Sequence, residues 1–430
     1  MICADASDAS SLQVTAFALD GARGSVHVRS RFVRTPRFEA QAAAGESGGF
    51  PRRGAWTQAT ELWRNLSIPT TPANTSMLRW GGKLLALCEG GAPFEVHPET
   101  LETRGAVAIP GQLQTVLGFG AHFKIDSARG VLYNVGVQLP SAVRVFALSH
   151  DGRELLAGRT LTLDAGELAF VHDFAASQDH LVLFIPPWVA SPLDALASVV
   201  GMRALGHTFA WQAGAGTRCV VLRKHDLAVV HDSRLPAFST YHFANAWEEG
   251  SLLKVHVNRL IGDRAQLEAN FSDMYHARWA REQYNELYEY TIDLSTRGGR
   301  VLDAKAVMPP SSGALPMEFP IVSHRMMGRK NRFVYTTAFS DASSTFFDAV
   351  QKYDLERGTT QTRRCAPGEF PSEVAFVPVE DKGAPEDAGF LLYVVYVAAR
   401  HASDLYVLDA ADFEGPPLCV CRLPVHVPYG

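Results

Sequence analysis

Along this chain, short runs of β-branched, aliphatic and aromatic residues alternate with turn residues, and few stretches keep the 3.6-residue spacing of an amphipathic helix. Runs at 82–87, 131–135, 181–185, 334–337 and 390–396 predict strands. Residues 144–156 set Asp151-Gly152 between two apolar runs, and Asp-Gly suits the positive φ angles of a tight hairpin turn. Helical spacing is best at 191–204 and 271–286, both of which read as insertions between strands.

A weak internal echo repeats an aromatic or aliphatic strand followed by an acidic or polar turn, at 93–98, 287–293, 350–355 and 404–409. Short strands recurring over such a length point to a β-propeller, in which radial repetition leaves only short edges exposed. The expected fold class is therefore all-β, and no composition break divides residues 1–430 into more than one domain.

Composition narrows the partners. The 430 residues are 47% hydrophobic and 20% charged, which suits a globular chain with a large core and excludes a fibrous or disordered one. A net charge of −5 supplies no basic face to displace phosphate counterions, so nucleic acid is not an expected partner. Cys3, Cys88, Cys219, Cys365, Cys419 and Cys421 show no CxxC spacing, which favours a reducing compartment. On a strand Cys419 and Cys421 share a face, but two thiolates without nearby partners do not close a zinc site. No apolar run reaches the roughly 18 to 20 residues of a membrane span. The nearest, 181–205, is cut by Pro186-Pro187 and carries Asp194 and Arg203, so it can lie against a bilayer but not cross it. The opening residues lack the basic and apolar parts of a secretory signal.

Fifteen histidines are present, and twelve sit in polar turns or at isolated strand positions where surface or packing roles suffice. The other three share a setting. His122, His172 and His242 each precede an aromatic residue within two positions (Phe123, Phe174 and Phe243), just before or inside an expected strand. Separations of 50 and 70 residues place them on different blades. A propeller brings the inner strands of its blades to one axis, so histidines far apart in sequence can meet there. Neutral imidazoles suit Zn, Cu, Fe or Ni, and the sequence does not choose among them. Three satisfied core histidines are the alternative.

These segments also carry a resemblance. The blocks Asn74-Thr75-Ser76-Met77-Leu78-Arg79-Trp80, Leu87-Cys88-Glu89-Gly90-Gly91-Ala92-Pro93, the three histidine segments, Met317-Glu318-Phe319-Pro320, Phe370-Pro371-Ser372-Glu373 and the closing Val427-Pro428-Tyr429-Gly430 together resemble the carotenoid cleavage oxygenase family over nearly the whole chain. The resemblance implies a seven-bladed β-propeller that holds one Fe(2+) on its axis by four histidines, under a small helical and loop dome containing the substrate tunnel. His122, His172 and His242 match the first three ligand positions. Glu89, Glu318 and Glu373 match glutamates that accept hydrogen bonds from the outer ring N–H of ligand histidines. A carboxylate behind an imidazole fixes its tautomer and orientation and raises its basicity.

The implied reaction is oxidative cleavage of one conjugated carbon–carbon double bond of a carotenoid or apocarotenoid by O₂, giving carbonyl products. No general base is needed, and the sequence shows no Ser-His-Asp, HExxH or P-loop pattern. A polyene must be held by contact area, which makes Phe123, Phe174, Phe243, Trp247 and Phe319 candidates for the tunnel wall. A hydrophobic polyene substrate further implies peripheral membrane association, for which Trp188, Leu193, Leu196, Val199 and Val200 are candidates.

Departures from the family pattern are visible. The family's fourth histidine follows the Pro-Tyr-Gly segment, whereas this sequence stops at Gly430, and His426 precedes that segment. The stretch from Leu19-Asp20-Gly21 to Thr35 matches one that relatives reach after a further N-terminal segment, so the expectation is a fragment truncated at both ends. Phe123 stands where Pro is more usual. Two other readings stay open: a stilbene-cleaving or isomerising relative, and a non-catalytic carotenoid- or lipid-binding propeller that lacks the fourth ligand. The expected localisation is intracellular, in cytoplasm or plastid, with a membrane-peripheral position allowed.

Overall fold

The computed structural model describes residues 2–3, 13–44, 71–110, 116–138, 141–169, 171–199, 208–261, 284–340, 346–381 and 383–427. The chain divides into two compact units. The first comprises Met1–Asp173, Pro187–Gln212 and Pro428–Gly430, the second Phe174–Pro186 and Ala213–Val427.

In the first unit, Ser76–Trp80, Lys83–Leu87, Phe94–Val96 and Thr103–Ala106 form a four-stranded antiparallel meander. A five-stranded sheet follows, in which Val116–Leu117 and Lys124–Asp126 both pair with Val131–Gln138, continuing to Ala142–Ser149 and Leu155–Thr162. Leu85 and Leu87 of the first sheet pack against Leu132, Phe146 and Leu148 of the second. At about 25 cal/mol per Å² of apolar surface, such facing layers are the main source of stability. A three-stranded sheet (Ile2–Cys3, Gln13–Asp20, Ser25–Phe32) and a two-stranded ribbon (Trp188–Ala190, Phe209–Trp211) are the unit's other β-structure among the described residues. Its α-helices among the described residues are Pro36–Ala44 and Pro192–Val199.

The second unit repeats the meander four times. Its sheets run Ala175–Ala176, His180–Ile185, Thr217–Arg223, Val229–Leu235; then Phe243–Glu249, Leu252–Ile261, Tyr284–Asp293, Arg300–Ala306; then Met317–Ile321, Phe333–Ala338, Ala349–Asp354, Thr359–Arg364. The last has Glu369–Pro371 and Ala375–Pro378 both on Gly389–Val397, then Ala402–Asp409 and Cys419–Arg422. Neighbouring sheets pack face to face: Phe184 and Val221 meet Phe243, Val255 and Tyr290, and Tyr335 and Val350 meet Leu391 and Tyr393.

The recurring motif confirms an all-β propeller type with few helices, but the count differs. Six sheets of four or five strands lie among the described residues, not the expected seven. The three-stranded sheet has a first strand of only two residues and no fourth partner among the described residues, so it does not make a full blade. Asp151-Gly152 does join two paired strands, but through the five-residue loop 150–154, in which only Gly152 takes a positive φ, of 71°. The Gly152 N–H closes that loop on the Ser149 carbonyl at 2.9 Å. The helix expected at 191–204 is present as Pro192–Val199, with 200–204 outside the described residues. Of the helix expected at 271–286, residues 271–283 lie outside the described residues and Tyr284 opens a strand instead, with Glu286 paired to Arg259.

Candidate metal centre

In the first unit, His122 sits in the break between Val116–Leu117 and Lys124–Asp126, two halves of the sheet's first strand. The break is built by close backbone packing. Gly118 has φ +95°, and a Cβ there would meet the Glu89 carbonyl; a Cβ at Gly120 would meet Asn134 Oδ1 at 2.6 Å. Asn134 Nδ2 donates to the Gly120 carbonyl at 2.8 Å, and Ser76 Oγ donates to that of Ala121 at 2.6 Å. His122 therefore leaves a backbone held on several sides.

Its Nε2 lies 3.0 Å from Nε2 of His172. His172 Nδ1 is 2.6 Å from Glu89 Oε1. Glu89 thus stands beside the ring nitrogen of His172 that faces away from His122. A separation of 3.0 Å between the two Nε2 atoms is met either by one ring N–H donating to the other ring or by both nitrogens binding one metal ion. Two nitrogens bonded at right angles to one ion at about 2.1 Å, an ordinary metal–imidazole length, stand about 3.0 Å apart. The pair thus fits adjacent ligands of a divalent metal.

In the second unit His242 immediately precedes Phe243–Glu249. Its Nδ1 donates to Glu318 Oε2 at 2.7 Å, and the Phe319 N–H donates to the same oxygen at 2.8 Å. Glu318 lies where the first strand of its sheet bulges between Glu318 and Ile321, and Phe319 takes φ +53°. Strain of that kind is stored where a side chain must be aimed. The Phe319 ring lies 4.9 Å from the His242 ring.

Glu373 occupies the gap between Glu369–Pro371 and Ala375–Pro378, again an interrupted first strand. Its side chain keeps open surface although dense protein surrounds it. The resulting loss of hydration pushes its carboxyl above the usual range, while the nearby His242 imidazole opposes that rise.

The aromatic candidates divide. Phe174, Phe243 and Trp247 are buried, with Phe243 stacked on Phe184 at 5.5 Å and the Trp247 indole N–H on Glu249 at 3.1 Å. Phe123 packs half-buried against its unit's core, and Phe319 stands beside His242. Trp188 is buried against Trp211, whereas Leu193 and Leu196 are 79% and 59% exposed. The side chain of Val199, and Val200 altogether, lie outside the described residues.

Sequence reasoning missed Lys124 and Asp173. They form an ion pair of 2.7 Å with side chains 12% and 3% exposed, two residues after His122 and one after His172. The available signal was their adjacency to the two histidines. A small pocket opens nearby, walled by Val135, Val137, Val143, Ala169 and Val171, with Glu89 its only charged lining group.

Antiparallel meanders that carry His122 in an interrupted first strand and His172 and His242 just ahead of first strands, the latter two with a glutamate at Nδ1, define an all-β propeller protein with imidazoles set out as metal ligands. The family model described as Retinal pigment epithelial membrane protein matches residues 11–430, and the chain belongs to that family, the carotenoid cleavage oxygenases. It is 30% identical to apocarotenoid-15,15′-oxygenase of Synechocystis, over 97% of this chain and 83% of the relative. It is 26% identical to the chloroplastic carotenoid cleavage dioxygenase 7 of Oryza sativa subsp. japonica (93% and 77%), and 27% identical to isoeugenol monooxygenase of Pseudomonas nitroreducens (94% and 82%). The crystal structure of cobalt-substituted Synechocystis ACO matches with a TM-score of 0.79 at 25% identity, covering 97% of this chain and 85% of that one. The named relatives are oxygenases, and this chain is an enzyme of their family.

Proposed function

We propose that this protein is an Fe(2+)-dependent dioxygenase that cleaves one conjugated double bond of an apocarotenoid or carotenoid, with both atoms of O₂ ending in the two carbonyl products. The observation that carries the reading is the pair of carboxylate-anchored imidazoles, His172 on Glu89 and His242 on Glu318, at the family's ligand positions. His122, whose Nε2 lies 3.0 Å from that of His172, stands at the remaining one of the three matched ligand positions. Ferrous iron, when bound, supplies the oxygen-activating redox chemistry that no side chain here can perform.

The chain's own residues position and exclude. Glu318 accepts the His242 Nδ1–H and Glu89 lies 2.6 Å from His172 Nδ1, so each imidazole is turned with Nε2 away from its carboxylate. Neutral imidazole ligands would leave the charge of a bound ion uncompensated. The apolar pocket beside Glu89 and the ring of Phe319 offer contact area to a polyene and keep water away. Leu193 and Leu196 give a face that rests on the membrane from which such a substrate comes.

The test is anaerobic reconstitution with Fe(2+), then an apocarotenal and ¹⁸O₂. Iron retention and label in both carbonyl products support the reading; an iron-loaded protein that leaves the polyene intact overturns it. The similarity to isoeugenol monooxygenase favours a second reading, a phenolic alkene substrate, and isoeugenol run in parallel separates the two.

A further inference from the structure

A pair of sulfurs lies apart from the histidines, on the strand Cys419–Arg422. This strand pairs by one edge with Ala402–Asp409, Cys419 opposite Val407 and Cys421 opposite Leu405, and no strand pairs with its other edge among the described residues. Strand alternation turns both cysteines to one face. Their Sγ atoms are 3.2 Å apart. Cys419 is exposed and Cys421 half-buried, whereas Cys88 and Cys219 are buried. Among the described residues no third His, Cys, Asp or Glu joins them as a metal ligand.

We propose that Cys419 and Cys421 are a reversible dithiol–disulfide pair that exchanges with small-molecule disulfides of the glutathione type. The exposed Cys419 thiolate attacks one sulfur of the small disulfide and releases one small thiol. Cys421 then attacks the Cys419 sulfur of the mixed disulfide and releases the second. Two protein thiols are oxidised, one external disulfide is reduced to two thiols, and the two protons pass to the departing thiolates. Burial and the adjacent Cys419 sulfur push the Cys421 thiol up to about 11, so Cys421 acts as the second, resolving sulfur.

The geometry makes the bond closable but not comfortable. Residues two apart on a strand have Cα atoms about 6.6 to 6.8 Å apart, at the upper end of the roughly 4.4 to 6.8 Å that disulfides span. Closure must pucker the strand, and one paired on a single edge can pucker without breaking a second ladder. The following segment is pinned, because the Leu423 N–H donates to the Ser403 carbonyl at 2.9 Å and the Val427 N–H to Ser403 Oγ at 3.0 Å. An exposed and strained disulfide is readily reduced again, which is what reversibility requires.

The experiment treats the full chain, fully reduced, with glutathione disulfide, then alkylates remaining thiols and digests with trypsin. The peptide 401–422 contains both cysteines and no other. The expected result is a peptide lighter by two hydrogens that dithiothreitol restores, with Cys421→Ser stopping at a stable glutathione adduct on Cys419. A wild-type peptide that yields only adducts or alkylated thiols, or a Cys421→Ser adduct no more stable than that of wild type, overturns the proposal.

Discussion

Lys124 and Asp173 are joined by an ion pair of 2.7 Å that links the segment presenting His122 to the segment presenting His172. Both side chains are largely withdrawn from water, so the pair acts at short range and with little screening. It holds two loops at the separation that brings the Nε2 atoms to 3.0 Å.

Removing one partner strands the other charge in a poorly hydrated place, a change that typically costs about 3 to 5 kcal/mol. Asp173→Asn is expected to weaken metal binding roughly 10- to 100-fold, as supporting changes around metal ligands do. A Co(2+) titration followed by its visible absorption measures this, and wild-type affinity in the variant would falsify the role. Lys124→Arg keeps the charge and should retain most of the affinity.

His172→Ala should abolish iron retention and cleavage, whereas His180→Ala should leave both intact. His180 bonds through Nδ1 to Glu248 at 3.1 Å, a structural partner. Iron content of the two purified variants is the readout, and equal losses would discredit the ligand assignment.

Glu318→Gln places an amide against the His242 Nδ1–H and the Phe319 N–H, two donors that share Oε2 in the parent. The carboxylate's charge is lost and the imidazole is held less firmly. A metal affinity lower by roughly 10- to 100-fold is expected. The titration used for Asp173→Asn tests it, and no change would sink the idea that Glu318 orients the ligand.

Glu248 gives a pH dependence with a definite sign. Burial works to raise its pKa, but bonds from His180, Ser177 and the Asp179 N–H prevail and lower it from 4.5 to about 2. Its stabilisation is therefore complete above about pH 4.5 and is lost as pH falls toward about 2. Melting temperatures near pH 6 and pH 3 should diverge less in Glu248→Gln than in the parent. Equal divergence would remove Glu248 from the acid response.

Leu193→Asp with Leu196→Asp is expected to release the protein from neutral phospholipid vesicles in a flotation assay while leaving iron content unchanged. Undiminished flotation would mean that this helix is not the membrane face. Trp188, attractive in the sequence, is a poor target because it is buried against Trp211.

The strands most visible in the sequence share one location. The runs at 82–87, 131–135, 181–185, 334–337 and 390–396 all became second strands of their sheets, and the echoed segments became third strands. Middle strands are covered on both faces and so read as nearly unbroken apolar runs. Outer strands such as Leu155–Thr162 and Arg300–Ala306 are mostly exposed and carry no such signal. Several first strands are short or split, as at Ala175–Ala176, at Val116–Leu117 with Lys124–Asp126 and at Glu369–Pro371 with Ala375–Pro378, so the blade number could not be counted from the residues and the expected seven rested on the resemblance. The same contrast governs the site. Histidines beside aromatics could be singled out, but the Lys124–Asp173 link depends on two loops meeting in space and left only its neighbourhood as a clue.

The divided strands at His122 and Glu373, and the bulge after Glu318, surrender rungs of the ladder where chemistry is placed. The adjoining second strands, Val131–Gln138, Phe333–Ala338 and Gly389–Val397, remain continuous behind them. Reactive positions are thereby decoupled from the scaffold. Residues can be exchanged or lengthened inside a gap while the register behind it is kept, which gives one architecture room to diversify its substrates without relearning how to fold.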